Sequence, residues 1–153
     1  MKIRSTTLLA AVLLLCLAGT ACAESGLSYE ETVRLISTTM ASSTSAARKE
    51  SYNYIQFDKC TLGYSVSGTY PVGEPYTIKF SGVDFSQLDL KGATAGHDYT
   101  AFVMLGFSKD FGYRPDTHEI RAHTAVVNVG DDAGARILLA AFRHLGELCG
   151  APQ

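Results

Sequence analysis

Tryptophan is absent from the 153-residue sequence, and proline and cysteine occur only four times each. Sites that stack sugar rings favour tryptophan, so its absence argues against a lectin. The eight tyrosines are better explained by a sheet that has one face partly exposed to solvent. After the first 23 residues, no apolar run approaches the roughly 20 residues that a membrane-spanning helix needs. The sequence therefore favours neither a lectin nor a spanning helix.

Clusters of basic residues are also missing. Without Lys2 and Arg4, which lie in the N-terminal segment, the chain has 11 Lys and Arg against 15 Asp and Glu, a formal charge of −4. Nucleic acids and anionic membrane surfaces attract proteins with concentrated positive charge. We therefore expect no nucleic-acid partner and no electrostatic attachment to a membrane.

The N-terminus has the features of a secretory signal peptide. A basic start precedes the apolar run 8–17, and small residues then lead to the sequence ACA around Cys22. These features predict a signal peptide over residues 1–23 and a single α+β domain over 24–153, exported to the periplasm or secreted. The alternative is a lipoprotein signal, in which Cys22 is lipidated and anchors the protein to a membrane.

Two cysteines, Cys60 and Cys149, remain in the exported part of the chain. Two cysteines in an exported domain most often pair, so we predict a disulfide between them. Closing so long a loop is worth about 4–5 kcal/mol in the chain-entropy model. Free buried thiols and intermolecular bonds are the alternatives. A zinc site is disfavoured because no histidine adjoins either cysteine at ligand spacing.

Two segments have helical periodicity. Ser28 and Glu31 fit a capping box, which predicts a helix over 29–41. A second helix is predicted to open at residues 130–132 and to end before Gly150, with an apolar stripe on one face. That stripe consists of Leu138, Phe142, Leu145 and Cys149.

Strand-like patterns fill the middle of the chain. Segment 99–107 is apolar on both faces, which predicts a central strand. Segment 83–98 is irregular, and 108–116 has the composition of a turn. The predicted strands are 51–57, 60–67, 76–82, 99–107 and 119–129.

The order of these elements predicts an α+β fold: an N-terminal helix, an antiparallel meander of about five strands, and a C-terminal helix packed on the sheet. A PH-like curved sheet or barrel capped by the C-terminal helix is the alternative. Cys149 would lie at the core edge of the last helix, so the disulfide would clamp that helix to the first hairpin.

Four histidines are the candidates for catalysis or metal binding. His118 and His123 belong to H-E-x-x-x-H, which is one residue longer than the zinc motif, and in a strand they point to opposite faces. Glu119, Arg121 and His123 share one face, which is typical of a solvated row of charges.

The remaining two histidines carry weaker signals. His97 precedes Asp98 in a glycine-rich loop, where aspartate commonly serves a turn. His144 lies at the margin of the helical stripe, as a boundary residue with one wet edge. We therefore assign no catalytic, cofactor-binding or metal-binding residue, and we expect no cofactor.

The segments AFRHLGELCG (141–150) and FDKC (57–60) resemble parts of small exported bacterial proteins of uncharacterised families. In those proteins a terminal helix ending in Leu-Cys-Gly follows a β-rich domain, and a turn carries a cysteine. The resemblance covers 14 residues. It implies the helix–sheet–helix layout and the disulfide, and it implies no activity.

Taken together, these features favour a non-enzymatic exported module that binds a ligand or associates with the cell envelope. One alternative is a small enzyme or metal-binding protein that uses His97, His118 or His123 in a loop-built pocket. Another is a protease-inhibitor-like domain that presents the loop 70–75.

An aromatic patch is a candidate surface for a protein partner or for self-association. Alternation along the first and the central strand predicts that it consists of Tyr52, Tyr54, Phe102 and Met104. The alternative is that the terminal connector, the segment 82–98 or closure of a barrel covers this face. Attachment to a membrane is expected only if Cys22 is lipidated.

Overall fold

The computed structural model describes residues 26–44, 49–70, 72–115 and 117–153. The predicted signal peptide and the lipidation site at Cys22 lie outside the described residues. The elements in chain order are helix α1 (Tyr29–Ser42), strands β1 (Ser51–Asp58), β2 (Thr61–Thr69), β3 (Pro75–Asp84), β4 (Thr94–His97), β5 (Ala101–Arg114) and β6 (Ile120–Val129), and helix α2 (Asp132–Leu148).

The α+β prediction is confirmed, with six strands in the described chain rather than about five. All strand pairs are antiparallel, and the order along the sheet is β1-β2-β3-β5-β4. Strands β3 and β4 pair with different parts of β5, and β6 pairs with β5 as well. The sheet is not closed into a barrel. As its two apolar faces predicted, β5 is the central strand, since it pairs with three others.

The prediction of a turn region over 108–116 is wrong for most of that range. After a register irregularity between Gly106 and Phe111, β5 continues to Arg114 and pairs with β6 and with β3. Partners on both edges extend a strand through residues that would favour a turn by themselves. The irregular segment 83–98 likewise contains a short 3-10 turn, Phe85–Gln87, and the edge strand β4.

The two helices and the inner face of the sheet form one core. Leu138, Phe142 and Leu145 of α2 are fully buried, and Ile36 and Met40 of α1 join them. Burying each such side chain contributes about 1.5–3 kcal/mol as an upper estimate. Aromatic rings continue the core from α2 into the sheet. Contacts of 5.5–6.2 Å between ring centroids connect Phe142, Phe85, Phe107, Phe111 and Phe80 in that order.

The helix ends follow the sequence signals. Ser28 and Glu31 make the reciprocal bonds of a capping box at the start of α1. Asp131 caps α2 by accepting a hydrogen bond from the backbone N–H of Gly134 at 2.7 Å. Gly150 takes a positive φ of 78° just after α2, which glycine does without a steric penalty.

The predicted disulfide joins Cys60, in the turn between β1 and β2, to Cys149 at the C-terminal cap of α2. Two further bonds fix the same turn. The hydroxyl of Tyr29 in α1 donates to the carbonyl of Lys59, and the backbone N–H of Phe85 donates to the carbonyl of Cys60. The crosslink therefore ties α2 to a turn that α1 and the 3-10 segment also hold.

Strands β1 and β6 do not pair with each other through backbone hydrogen bonds. Side chains connect these two strands instead. The hydroxyl of Tyr52 accepts a hydrogen bond from the backbone N–H of Asn128 at 2.7 Å. The buried carboxylate of Glu50 accepts from the Asn128 side-chain amide at 2.6 Å and from the Tyr76 hydroxyl at 2.5 Å. We call these four residues the seam.

Candidate functional site

The most unusual backbone feature of the sheet is a bulge in β1. The β1–β2 register shifts between Asn53 and Gln56, and Tyr54 within the bulge has a φ of 52°. A left-handed conformation costs a residue with a Cβ about 1–2 kcal/mol. The bulge turns the Tyr54 side chain outward, where 80% of the residue remains exposed. A large ring is thus held in solvent at an energetic cost, which is a common property of binding sites.

Tyr54 lies beside an open groove of about 420 Å³ on the outer face of the sheet, opposite the core. We call it the sheet-face groove. Its side chains belong to residues that alternate with core residues on β1, β2, β3 and β5, together with the residue just before β6. They are Tyr54, Gln56, Ser65, Lys79, Ser81, Arg114 and Glu119, and Gly63 and the core residues Tyr64 and Phe80 complete the lining.

The charged side chains of the groove meet because of strand register. Lys79 pairs with Arg114 across β3 and β5, and Arg114 binds Glu119 with an Nη2–Oε2 distance of 2.9 Å. Arg121 approaches the same carboxylate at 4.0 Å. Within the described part of the chain, Lys79 has no carboxylate within 4 Å. The groove therefore contains the ion pair between Arg114 and Glu119 together with Lys79, whose charge is not paired with a carboxylate of the described residues.

Small residues shape the groove. Gly63 leaves the β2 part of its lining without a side chain. At Gly112 an added Cβ would collide with the Ser81 hydroxyl and lie 3.1 Å from a carboxylate oxygen of Glu119. Glycine at 112 thus lets Ser81 and Glu119 approach each other. The buried Ser65 hydroxyl donates a hydrogen bond to the carbonyl of Asn53 at 3.2 Å. This bond helps to fix the backbone at the start of the bulge.

The histidines do not form a common site. His97 lies on β4 and forms a hydrogen bond with Asp132 at the start of α2, with an Nδ1–Oδ1 distance of 2.6 Å. His118 precedes β6 and is exposed, and His123 is exposed on β6. No hydrogen bond between described residues joins any two histidines. Across residues 26–44, 49–70, 72–115 and 117–153, no group of three His, Cys, Asp or Glu side chains is placed to hold a metal ion.

His144 ties the two helices together. Its side chain is mostly buried, its Nε2 lies 3.0 Å from the carbonyl oxygen of Leu27, and its Nδ1 lies 3.7 Å from Glu147. His144 therefore lies at the boundary between the core and the solvent, as predicted. It anchors the segment before α1 to the side of α2.

The four residues of the predicted aromatic patch do not share one exposed surface. Tyr52 is only 5% exposed and packs in the core, because the bulge reverses the alternation of β1 between residues 52 and 54. Phe102 is half-buried, with its ring lying over Gly96, and Met104 is 39% exposed. The prediction that Tyr52 belongs to a surface patch is therefore wrong, whereas Tyr54 is exposed, as that prediction requires.

A second groove, of about 590 Å³, runs along the outer side of α2. We call it the helix groove. It is lined by Leu90, Lys91, Arg136, Leu139, Ala140, Arg143, His144, Glu147 and Gln153. Although this groove is larger, two of its polar side chains hold the fold: Arg143 donates to the carbonyl of Ala93 at 2.7 Å, and His144 contacts the carbonyl of Leu27. The sheet-face groove carries the stronger sign of function, because the strained conformation of Tyr54 serves no visible packing role.

No sequence pattern marks Gln56, Lys79 or Arg114 as functional residues. Each is an ordinary polar residue on a strand, and only the register of β1, β2, β3 and β5 places them around one concavity. Glu119 and Arg121 were recognised as a charge row, but their proximity to Arg114 depends on the pairing of β5 with β6. The sequence around Tyr54 has no local signal of the left-handed conformation that this residue adopts in the bulge.

In the described ranges, no helix combines the length and the apolar character needed to cross a membrane. A disulfide between sheet and helix is typical of proteins that fold outside the reducing cytoplasm. No protein-family model matches the chain, and neither the curated proteins nor the solved structures include a match to it.

Proposed function

We propose that the protein is an exported, non-enzymatic binding module whose ligand site is the sheet-face groove. The observation that carries the proposal is Tyr54, an exposed aromatic ring on a left-handed bulge at the border of the sheet-face groove. The disulfide and the resemblance to small exported bacterial proteins support export to the periplasm or the cell exterior.

The groups around the groove favour binding over chemistry. The Ser65 hydroxyl is engaged with the carbonyl of Asn53, and the Glu119 carboxylate is engaged with Arg114. A nucleophile or a general base needs a partner that activates it, whereas these groups have partners that fix their positions. Rigid strands beneath fixed side chains provide a preorganised surface, which lowers the entropic cost of binding.

A second candidate function rests on the β2–β3 loop. The backbone N–H of Tyr70 donates to the carbonyl of Glu74, and that of Gly73 donates to the carbonyl of Tyr70, both at 2.8 Å. These bonds hold a turn on which Val72 is 81% exposed. A rigid loop with an exposed apolar residue would suit a protease-inhibitor-like domain. Loss of inhibition of an envelope protease on Val72→Asp would support this candidate.

The proposal is tested by capture from the cell envelope. Protein purified from cells that express the full chain is immobilised and exposed to envelope extract separated into glycan, peptide and lipid fractions. We expect one fraction to supply a component that wild-type protein retains and that Tyr54→Ala loses. Tyr99→Ala is the matched control, because Tyr99 is equally exposed and lies outside the groove. Equal retention by wild type and Tyr54→Ala would overturn the proposal.

Export is tested separately, by the mass of the intact protein recovered from the host. A chain that begins at Glu24 without lipid is the expected result. A diacylglyceryl mass on a chain that begins at Cys22 would instead make the protein a lipoprotein. Recovery of the uncleaved chain from the cytoplasm would contradict export.

A further inference from the structure

We infer that the ligand of the sheet-face groove is an oligosaccharide that carries carboxylate groups. The inference rests on the proposed function and adds the chemical class of the ligand. The absence of tryptophan had argued against sugar binding, but one exposed tyrosine ring is a sufficient platform for the apolar face of a sugar. The bulge at Tyr54 supplies that platform in a fixed position.

The polar rim of the groove matches the hydroxyl groups of a sugar. Sugar hydroxyls both donate and accept hydrogen bonds, and Gln56, Ser81 and Glu119 offer both capacities around one concavity. The ion pair with Arg114 holds the Glu119 carboxylate in place. A planar carboxylate or amide can engage two neighbouring hydroxyls at once, which gives preference for one sugar configuration over another.

The charge of the groove indicates an acidic sugar. The chain outside the predicted signal peptide has a formal charge of −4, whereas two cations, Lys79 and Arg114, line this groove against the single carboxylate of Glu119. Of these two cations, Lys79 has no carboxylate within 4 Å among the described residues. A uronic-acid carboxylate near Lys79 would be neutralised there, while a neutral sugar would leave the lysine charge unused.

The openness of the groove fits a chain better than a small molecule. The groove lies on the face of the sheet and is bounded by strands rather than enclosed by loops. A polymer segment can pass along such a surface and contact it with several successive units. Nucleic acids share the negative charge, but they need more cations than this groove provides.

Binding is measured by calorimetric titration at low salt, with tetragalacturonate and tetramannuronate as probes and the neutral galactotetraose and mannotetraose as controls. We expect at least one acidic tetramer to bind at least tenfold more tightly than its neutral counterpart. We also expect its affinity to fall as salt is added, because the Lys79 contact is partly exposed.

Variants assign the binding to the groove. Tyr54→Ala should weaken binding of the acidic tetramer by about tenfold, the usual magnitude for a lost aromatic contact, and Tyr54→Phe should retain it. Lys79→Gln should reduce the preference for the acidic over the neutral tetramer. Tyr99→Ala should change nothing, and thermal melting verifies that each variant is folded.

Two results would overturn the inference. One is equal affinity for acidic and neutral tetramers, and the other is the absence of binding by either acidic tetramer. If capture from the envelope still depends on Tyr54 while the acidic tetramers fail, the binding module stands and its ligand belongs to another chemical class. If capture fails as well, the groove itself is not a ligand site.

Discussion

Two tyrosines inside the sheet differ in how their buried hydroxyl groups are satisfied. The Tyr52 hydroxyl accepts a hydrogen bond from the backbone N–H of Asn128, and so occupies a position at the seam between β1 and β6. The Tyr64 hydroxyl is buried and finds no hydrogen-bond partner among the described residues. The Tyr64 ring stacks on Phe80 with centroids 4.4 Å apart, so its packing contributes stability while its oxygen does not.

We predict opposite effects of removing the two hydroxyls. Tyr64→Phe should raise the free energy of unfolding by about 1 kcal/mol, because it removes an unsatisfied buried polar group and keeps the ring. Tyr52→Phe should lower it by about 1–3 kcal/mol, because the N–H of Asn128 loses its acceptor. Urea denaturation of both variants measures the difference. A destabilised Tyr64→Phe would mean that its hydroxyl has a partner outside the described residues.

The buried carboxylate of Glu50 is the other residue on which the seam depends. It accepts hydrogen bonds from the Tyr76 hydroxyl and from the Asn128 amide. Glu50→Gln should lower the free energy of unfolding by about 1–3 kcal/mol, since its amide nitrogen would face a donor. Glu74→Gln, at an exposed residue, is the control and should change stability by less than about 0.5 kcal/mol. Equal melting temperatures for the two variants would contradict a structural role of the seam.

Helix α2 is held by four kinds of contact. Its apolar stripe packs in the core, Asp131 caps its start, His144 binds the segment before α1, and Cys149 crosslinks its end. The helix therefore links the first turn of the sheet, the 3-10 segment and α1. Its position depends on contacts from chain segments that are far apart in sequence.

Removing the crosslink tests how much α2 depends on it. The double variant Cys60→Ala and Cys149→Ala, which leaves no free thiol in the domain, should lose about 2–5 kcal/mol of stability because the unfolded chain is no longer constrained. Denaturation under oxidising conditions measures the loss. Reduction of the wild type should reproduce it. A loss below about 1 kcal/mol would show that Tyr29, Phe85 and the helix stripe hold the turn without the disulfide.

The stability of the whole molecule should decrease at alkaline pH. Burial, reinforced by the Glu50 carboxylate, raises the pKa of the Tyr52 phenol above its ordinary value, and burial likewise raises the pKa of the Tyr64 phenol. Because both folded pKa values lie above the unfolded value of about 10, the neutral phenols stabilise the fold fully below that pH. Their contribution is lost as the pH rises further.

We therefore expect the free energy of unfolding to decline as the pH increases above about 10. Tyr64→Phe should show a shallower decline, because one of the phenols with a raised pKa is absent. The stability of each protein is measured by urea denaturation at a series of pH values, with Tyr99→Phe as a control at an exposed tyrosine. Parallel pH curves for wild type and Tyr64→Phe would contradict this role of the buried phenol.

The sequence alone determined the features that arise from local patterns. The capping box at Ser28, the Asp131 cap and the glycine at 150 are short-range signals, because each satisfies backbone groups within one or two turns of its own helix. The α+β order followed from hydrophobic periodicity. The Cys60–Cys149 pair followed from there being two cysteines in the predicted exported part, which left one intramolecular pairing to form.

Tertiary structure alone decided the features that depend on register and on distant partners. β5 extends to Arg114 because β3 and β6 pair with it, and Tyr52 and Tyr54 face opposite sides because of one bulge. Glu50 immediately precedes β1, and it is buried at the seam by contacts from β3 and β6. The sheet-face groove has the same origin: a one-residue change of register moves a side chain to the other face of a sheet, and no local pattern reports where that change occurs.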